Sequence, residues 1–130
     1  MQLLHCNTNR YLTVNKRLTG LLERDTMRVT LEKGGNDGSW FYVHPYYKHR
    51  TVNDQVILGD RVLLRAVDAG QLLHVSDCTL LDHTKCLEVN CCACEDSWKI
   101  CLFHEYQQNS EAFLKSGDVL RFFHAGGLAR

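Results

Sequence analysis

The sequence predicts an all-β domain built from a repeated four-stranded unit. Short stretches in which apolar and polar residues alternate are typical of half-buried strands. Turns rest on glycine, asparagine and aspartate, because the 130 residues include nine glycines and only one proline. Similar residues of this pattern recur along the chain at two constant separations. One is the separation between Leu3 and Leu64, and the other is the separation between Trp40 and Trp98. Hydrophobic residues make up 45% of the chain, which is enough for a packed core and argues against disorder.

Each unit opens with two strands joined by a tight turn. In the clearest example the turn Gly59-Asp60 leads into a strand in which Val62, Leu64 and Ala66 share one face. Gly70, which can adopt a positive φ angle, then closes the turn to the return strand. A first copy of this hairpin lies near the start of the chain and is joined by a turn at residues 7–9. The predicted strands of the two hairpins are residues 3–5, 11–14, 61–66 and 72–75.

Two further strands complete the unit. An alternating strand over residues 27–33 precedes the strongest turn signal of the chain, at residues 34–38. An aromatic-rich strand then starts at Ser39-Trp40. The counterparts that share the second spacing are, in pairs, Val29 and Leu87, Leu31 and Val89, Trp40 and Trp98, and Gly59 and Gly117.

Four strands in a unit of about 60 residues predict a β-trefoil, in which three units close a barrel. A propeller blade is also four-stranded, but a propeller needs more units than this chain supplies. We predict a single domain over residues 1–130, with copies at about 1–58 and 59–116 and a stub at 117–130. Two of three lobes and the start of a further repeat would leave a hydrophobic flank open, so self-association or low stability is expected.

Composition excludes several classes of function. Lys+Arg and Asp+Glu are both 15, so general affinity for nucleic acid or an anionic membrane is not indicated. No apolar run approaches the roughly 20 residues that span a bilayer, and the first residues lack the features of a signal peptide. We therefore expect a soluble segment that makes no membrane contact of its own. Seven cysteines without a signal peptide indicate free thiols in a reducing compartment.

The cysteine-rich stretch is the most tempting chemical feature. Zinc sites usually take two closely spaced pairs of thiolate or imidazole ligands, and only the pair Cys91 and Cys94 has usable spacing. Cys91 and Cys92 are adjacent and are expected on a turn. Unligated thiols are favoured over a zinc or redox site, and no metal or cofactor is expected. The residues of this group are His83, Cys86, Cys91, Cys92, Cys94 and Cys101.

The aromatic residues fall into two groups. Trp40 and Trp98 occupy equivalent positions and are predicted to be core residues, in preference to a carbohydrate-binding platform. Tyr46 and Tyr47 cannot both face inwards on one strand, so a partner contact is about as plausible as packing. His5 and His124 fill the position of Ala66 and are predicted to be structural. Because no nucleophile–base, paired-carboxylate or phosphate-loop arrangement is present, we do not expect an enzyme.

The repeat matches the MIR motif, and the chain resembles the amino-terminal cytoplasmic part of inositol trisphosphate receptor calcium channels. Ryanodine receptors share the repeat and the ending near His124, whereas the Tyr-Leu-Thr-Val-Asn-Lys-Arg-Leu stretch looks more like the inositol trisphosphate receptor. The segments that carry the resemblance are residues 11–18, 27–31, 38–42, 57–62, 69–71, 88–90, 97–99 and 117–125.

The resemblance implies a suppressor region that tunes ligand affinity and gating through contacts with neighbouring domains and subunits of a tetrameric channel. It places the chain at the cytoplasmic face of the endoplasmic reticulum membrane, with the inositol trisphosphate site outside this chain. The family loop that makes domain contacts matches Pro45, Tyr46, Tyr47 and Lys48. Two alternatives stay open: a ryanodine receptor segment, and a free MIR protein associated with secretory-pathway glycosylation. The absent signal peptide and odd cysteine count argue against the second.

Overall fold

The computed structural model describes residues 1–47, 56–79, 86–103 and 113–124. In these ranges the chain forms strands and one 3-10 helix, Asp37–Ser39, and no α-helix. The prediction of an all-β fold is therefore confirmed, whereas closure as a trefoil and the division into copies stay predictions. The strands are β1 Leu4–His5, β2 Arg10–Thr19, β3 Met27–Glu32, β4 Phe41–Pro45, β5 Arg61–Ala66, β6 Leu72–Thr79, β7 Leu87–Cys92, β8 Trp98–Leu102 and β9 Leu120–His124.

All the strands join one antiparallel sheet. Its order is β1-β2-β3-β7-β6-β5-β8-β9, and β4 pairs with β5 beside this path. β5 is the centre of the sheet because it pairs with β4, β6 and β8. Its alternation is as predicted, since Val62, Leu64 and Ala66 are buried at 3%, 1% and 0% exposure. These three residues form the middle of the hydrophobic core.

The two opening hairpins have the same backbone hydrogen bond across their turns. The N–H of Asn9 donates to the carbonyl of His5 at 2.7 Å, and that of Gly70 donates to the carbonyl of Ala66 at 2.8 Å. Asn9 and Gly70 both have positive φ angles, 57° and 74°. Asparagine tolerates this conformation better than most residues, so it replaces glycine in the first turn. The spacing between the two hairpins in the sequence thus recurs in their hydrogen bonds.

The pairing corrects the alignment of the third strands. Val14 pairs with Val29 and Val75 pairs with Val89, so Val29 corresponds to Val89 rather than to Leu87. The connection that follows spans residues 33–40 between β3 and β4, but only residues 93–97 between β7 and β8. The longer connection contains the 3-10 helix. The connection before β8 is therefore three residues shorter than the connection before β4. The sequence comparison had assumed one constant spacing across this connection.

The same shortening makes the prediction for Trp40 wrong. Phe41 pairs with Ala66, and Trp98 pairs with His124, the counterpart of Ala66. Phe41 is accordingly 1% exposed and occupies the core position of Trp98, whereas Trp40 is 48% exposed. A shift of one residue along a strand moves a side chain to the opposite face of the sheet.

Candidate interaction site

Tyr46 and Tyr47 follow directly on β4, which sets their position. Pro45 ends the strand opposite Val62, and the N–H of Tyr46 donates to the carbonyl of Arg61 at 3.2 Å. The two tyrosine rings meet edge to face, with centroids 5.4 Å apart and an interplanar angle of 88°. This is a favoured geometry for an aromatic pair. The pairing of β4 with β5 therefore fixes where both rings emerge from the sheet.

Arg61 packs against the ring of Tyr46. Its guanidinium carbon lies 4.0 Å from the centroid of the Tyr46 ring, within the range of a cation–π contact. Its Nη2 and Nε atoms donate to the Oγ of Ser97 at 2.7 and 3.2 Å. Ser97 is buried, so the guanidinium is held between a fixed hydroxyl and an aromatic face. Tyr46 remains 37% exposed above this support.

The predicted loop is thus partly described. Pro45, Tyr46 and Tyr47 lie together at the end of β4, and Lys48 lies outside the described residues. The sequence analysis did not single out Arg61, although it predicted a strand over residues 61–66. The signal that could have found it is the strand register, because pairing Pro45 with Val62 brings Arg61 beside Tyr46.

A buried carboxylate organises a second polar cluster. Asp96 is 8% exposed. Its Oδ2 accepts hydrogen bonds from Nδ1 of His74 at 3.1 Å and from the N–H of Val75 at 3.0 Å, and its Oδ1 contacts Nε2 of His124. These bonds join β6, the turn before β8, and β9. His124 is structural as predicted, since it packs against Trp98 with ring centroids 5.5 Å apart.

Glu88 anchors the connection between β2 and β3. Its carboxylate accepts hydrogen bonds from the N–H groups of Leu22 and Glu23 at 3.0 and 3.2 Å and from the amide of Asn90 at 3.1 Å. Burial favours the neutral carboxyl, but these hydrogen bonds favour the carboxylate more, and the pKa of Glu88 is lowered. The group is a structural anion rather than a proton donor at neutral pH.

Burial lowers the reactivity of the two adjacent cysteines, Cys91 and Cys92. Cys91 and Cys92 lie in β7 and are buried, so the expectation of a turn is wrong. Burial, with the neighbouring Cys92, raises the pKa of Cys91 to about 12, and burial raises the pKa of Cys92 to about 11. Thiols of this kind are poor nucleophiles and poor metal ligands near neutral pH. His83 lies outside the described residues, and among those described no histidine, cysteine and carboxylate group of three or more could hold a metal ion.

The described part of the chain also contains no helix of the length and apolar character needed to cross a membrane.

Comparison with known proteins gives two concordant matches. Residues 1–109 match the family model described as inositol 1,4,5-trisphosphate/ryanodine receptor. The chain is 40% identical over 133 residues to the inositol 1,4,5-trisphosphate receptor itr-1 of Caenorhabditis elegans, an alignment that covers 96% of this chain and 5% of that protein. The resemblance to inositol trisphosphate receptors is confirmed: the chain belongs to the inositol 1,4,5-trisphosphate/ryanodine receptor family.

Proposed function

We propose that the chain is a non-catalytic regulatory and interaction module of an inositol trisphosphate-gated calcium release channel. In this role it lies on the cytoplasmic side of the endoplasmic reticulum membrane and contacts neighbouring domains and subunits of the channel. Inositol trisphosphate is bound by the parent protein outside residues 1–130. Contacts that differ between channel states change ligand affinity and gating, because they shift a conformational equilibrium. Family membership supports the channel context.

The observation that carries the interaction role is the supported tyrosine pair. Tyrosine is enriched among the residues that dominate binding energy at protein interfaces. The edge-to-face contact with Tyr47 and the guanidinium of Arg61 hold the Tyr46 ring in place before any partner binds. A ring that is already fixed loses little conformational entropy on binding. The pair is therefore suited to a contact whose strength depends on the position of the partner domain.

The role of the pair can be tested in a full-length channel that carries this chain. We expect Tyr46→Ala and Tyr47→Ala to change the affinity for inositol trisphosphate and the threshold for calcium release by about 5-fold or more, the usual range of coupling between sites. Tyr42→Ala is the matched control, because Tyr42 is 54% exposed on β4, the strand that precedes the tyrosine pair, but lies outside the loop. Ligand binding and calcium flux from microsomes are the measurements. Equal effects of all three substitutions, or no effect of the first two, would contradict the proposal.

The position of the ligand site has a separate test. Calorimetry of residues 1–130 with inositol trisphosphate should give no heat of binding, because the proposal places the phosphate-binding groups elsewhere in the parent protein. Micromolar binding to this chain would show that the ligand site lies within it.

A further inference from the structure

Thr19, the last residue of β2, directly follows the sequence Lys16-Arg17-Leu18. It is the only serine or threonine of the sequence that has Lys or Arg at both the third and the second preceding position. Protein kinases select substrates partly by charge, and one class, here called basic-directed kinases, binds two basic residues at these positions through carboxylates. The sequence before Thr19 therefore has the charge pattern that a basic-directed kinase recognises.

The sheet presents this segment in an extended and exposed form. Asn15 and Thr19 pair with two consecutive residues of β3, so residues 16–18 form a bulge that is extra to the ladder. The three bulge residues and Thr19 are all exposed. A kinase that binds its substrate as an extended chain can therefore reach both the acceptor hydroxyl and the residues that precede it.

The two basic side chains are also accessible. Lys16 forms an ion pair with Asp68 at 3.2 Å, but the two side chains are 50% and 39% exposed. An exposed pair of this kind is weak and is readily exchanged for another carboxylate. The N–H of Arg17 donates to Oδ1 of Asn15 at 3.1 Å, which orders the backbone of the bulge while the residue stays exposed. A kinase can thus bind both residues without opening the core.

Other threonines that follow a basic residue are buried. Thr13 comes three positions after Arg10 and is 2% exposed. Thr26 comes two positions after Arg24 and is 6% exposed. Each of them has one basic residue at the relevant positions instead of two, so both the charge pattern and the exposure favour Thr19.

The second copy has a threonine at the same place in the sheet. Thr79 follows a bulge in β6 and pairs with the first residue of β7, just as Thr19 follows a bulge in β2 and pairs with the first residue of β3. The residues before Thr79 are Ser76-Asp77-Cys78, so an aspartate stands where β2 has Arg17. The fold repeats the threonine, and the first copy alone places the two basic residues before it.

We propose that Thr19 is a phosphorylation site for a basic-directed protein kinase and that the added phosphate is held by Arg28. Oγ1 of Thr19 forms a bond to the γ-phosphorus of ATP, and the bond from that phosphorus to the oxygen of the departing ADP breaks. The hydroxyl proton passes to the catalytic aspartate of the kinase. The site lies on β2 and not beside the tyrosine pair after β4, so this covalent modification goes beyond the proposed function.

Arg28 of β3 is placed to receive the phosphate. Its Nε donates to the backbone carbonyl of Thr19 at 3.0 Å, and this bond uses one of the five N–H donors of the guanidinium. A phosphate on the same threonine carries a charge of about −1.5 to −2 at pH 7 and accepts paired hydrogen bonds from a guanidinium. The contact would join β2 to β3 at the two ends of the connection formed by residues 20–26.

The buried carboxylate of Glu88 does not oppose this contact. Gly20, the residue after Thr19, is buried, and a Cβ atom on it would lie 3.0 Å from Oε1 of Glu88. Thr19 itself is exposed. A phosphate on Thr19 therefore projects into solvent beside Arg28 rather than onto Glu88.

The modification can be tested with the folded 130-residue chain, ATP and the catalytic subunit of cAMP-dependent protein kinase as the probe. Fragment-ion mass spectrometry should find Thr19 to be the main site, and Thr19→Ala should remove that phosphate. Arg17→Ala should lower kcat/KM for phosphorylation at least about 10-fold, because a charged contact with the kinase is lost. Arg24→Ala is the matched control, since it removes an exposed positive charge from the following connection, and should change kcat/KM less than about 3-fold.

A peptide of residues 13–22 shows whether the fold presents the site. We expect kcat/KM for the folded chain to lie within about 10-fold of the value for the peptide, because the segment is already extended and exposed. This comparison uses the unaltered chain, so it stays decisive if a substitution disturbs folding.

The role of Arg28 has its own readout in the ionisation of the phosphate. In an open peptide the second pKa of phosphothreonine is about 6. A guanidinium beside the phosphate favours the dianion, so phosphorus NMR should give a lower pKa in the folded chain. Arg28→Gln should return the pKa to the peptide value, whereas Arg24→Gln should leave it lowered.

Three results would overturn the proposal. The first is a folded chain that reacts at Thr19 more than about 100-fold more slowly than the peptide, because the fold would then hide the site. The second is an equal loss of kcat/KM for Arg17→Ala and Arg24→Ala. The third is a phosphate pKa that does not respond to Arg28→Gln. All three are measured without channel gating, so they are distinguishable from failure of the proposed function.

Discussion

Ser39 and Asp96 each stand two positions before a core aromatic residue, Phe41 and Trp98 respectively, and each reaches back to the second strand of its own hairpin. The Oγ of Ser39 lies 2.8 Å from Oγ1 of Thr13. Oδ2 of Asp96 lies 3.1 Å from Nδ1 of His74. Thr13 and His74 directly follow the counterparts Leu12 and Leu73, so both members of one pair correspond to both members of the other. A neutral hydroxyl pair in one copy therefore corresponds to a carboxylate–imidazole pair in the other.

The difference follows from what each pair must also hold. Ser39 belongs to the 3-10 helix, where its Oγ accepts from the N–H of Asn36 at 2.9 Å and completes a capping box. The shorter second connection has no such helix among the described residues. There the carboxylate of Asp96 binds the N–H of Val75 and the ring of His124 in addition to His74. The two pairs therefore occupy equivalent positions in the two copies. The copy with the shorter connection has a carboxylate there, which accepts more hydrogen bonds than a hydroxyl group.

The largest test of the comparison concerns the aromatic residues. Phe41→Ala should lower the free energy of unfolding by about 3–5 kcal/mol, because it empties a fully buried site. Trp40→Ala should cost much less, since that side chain is 48% exposed. Urea unfolding followed by circular dichroism measures both. The opposite order would mean that Trp40, and not Phe41, corresponds to Trp98.

The polar pairs give an intermediate effect. Asp96→Ala leaves His74, His124 and the N–H of Val75 without their acceptor, and it should cost about 3 kcal/mol. Ser39→Ala should cost about 1 kcal/mol, because only neutral hydrogen bonds are lost. The same unfolding measurement applies. Asp68→Ala is a suitable control, because its ion pair with Lys16 is largely exposed and worth about 0–1 kcal/mol. Equal losses of unfolding free energy for Asp96→Ala and Ser39→Ala would show that the two pairs stabilise the fold equally, contrary to this prediction.

The features that could be predicted from the sequence are those set by local chemistry. Gly70 and Asn9 predict their turns because few other residues adopt a positive φ angle. The alternation of apolar and polar residues in β5 predicts its buried face. A partner contact by Tyr46 and Tyr47 was expected for a similar reason, since adjacent residues on a strand face opposite ways, and that role stays a prediction.

The features that could not be predicted depend on register between distant strands. The repeated Ser-Trp pair pointed to Trp40 as a core residue, but the three-residue shortening between β7 and β8 makes Phe41 the counterpart of Trp98. The contact between Arg61 and Tyr46 and the clustering of His74 and His124 on one carboxylate likewise follow from pairing alone. Nothing in the spacing of those residues distinguishes them from solvated side chains.

The smallest predicted effect concerns pH and a third difference between the copies. Arg28 of β3 and Glu88 of β7 directly precede the counterparts Val29 and Val89. The first copy thus has an arginine at the position where the second has a buried glutamate. Because the pKa of Glu88 is lowered in the folded chain, its ionised form stabilises the fold fully above the ordinary carboxyl pKa of about 4.3. That contribution is lost as the pH falls through the lowered pKa of the folded state.

The variant Glu88→Gln isolates this contribution. We expect the difference in unfolding free energy between the original chain and Glu88→Gln to shrink as the pH is reduced from 7 towards 3, measured by urea unfolding at each pH. Glu32→Gln, which changes a carboxylate at the end of β3, is the control. A constant difference for Glu88→Gln across this range would mean that the bonds from Leu22 and Glu23 stabilise the neutral side chain as well as the carboxylate.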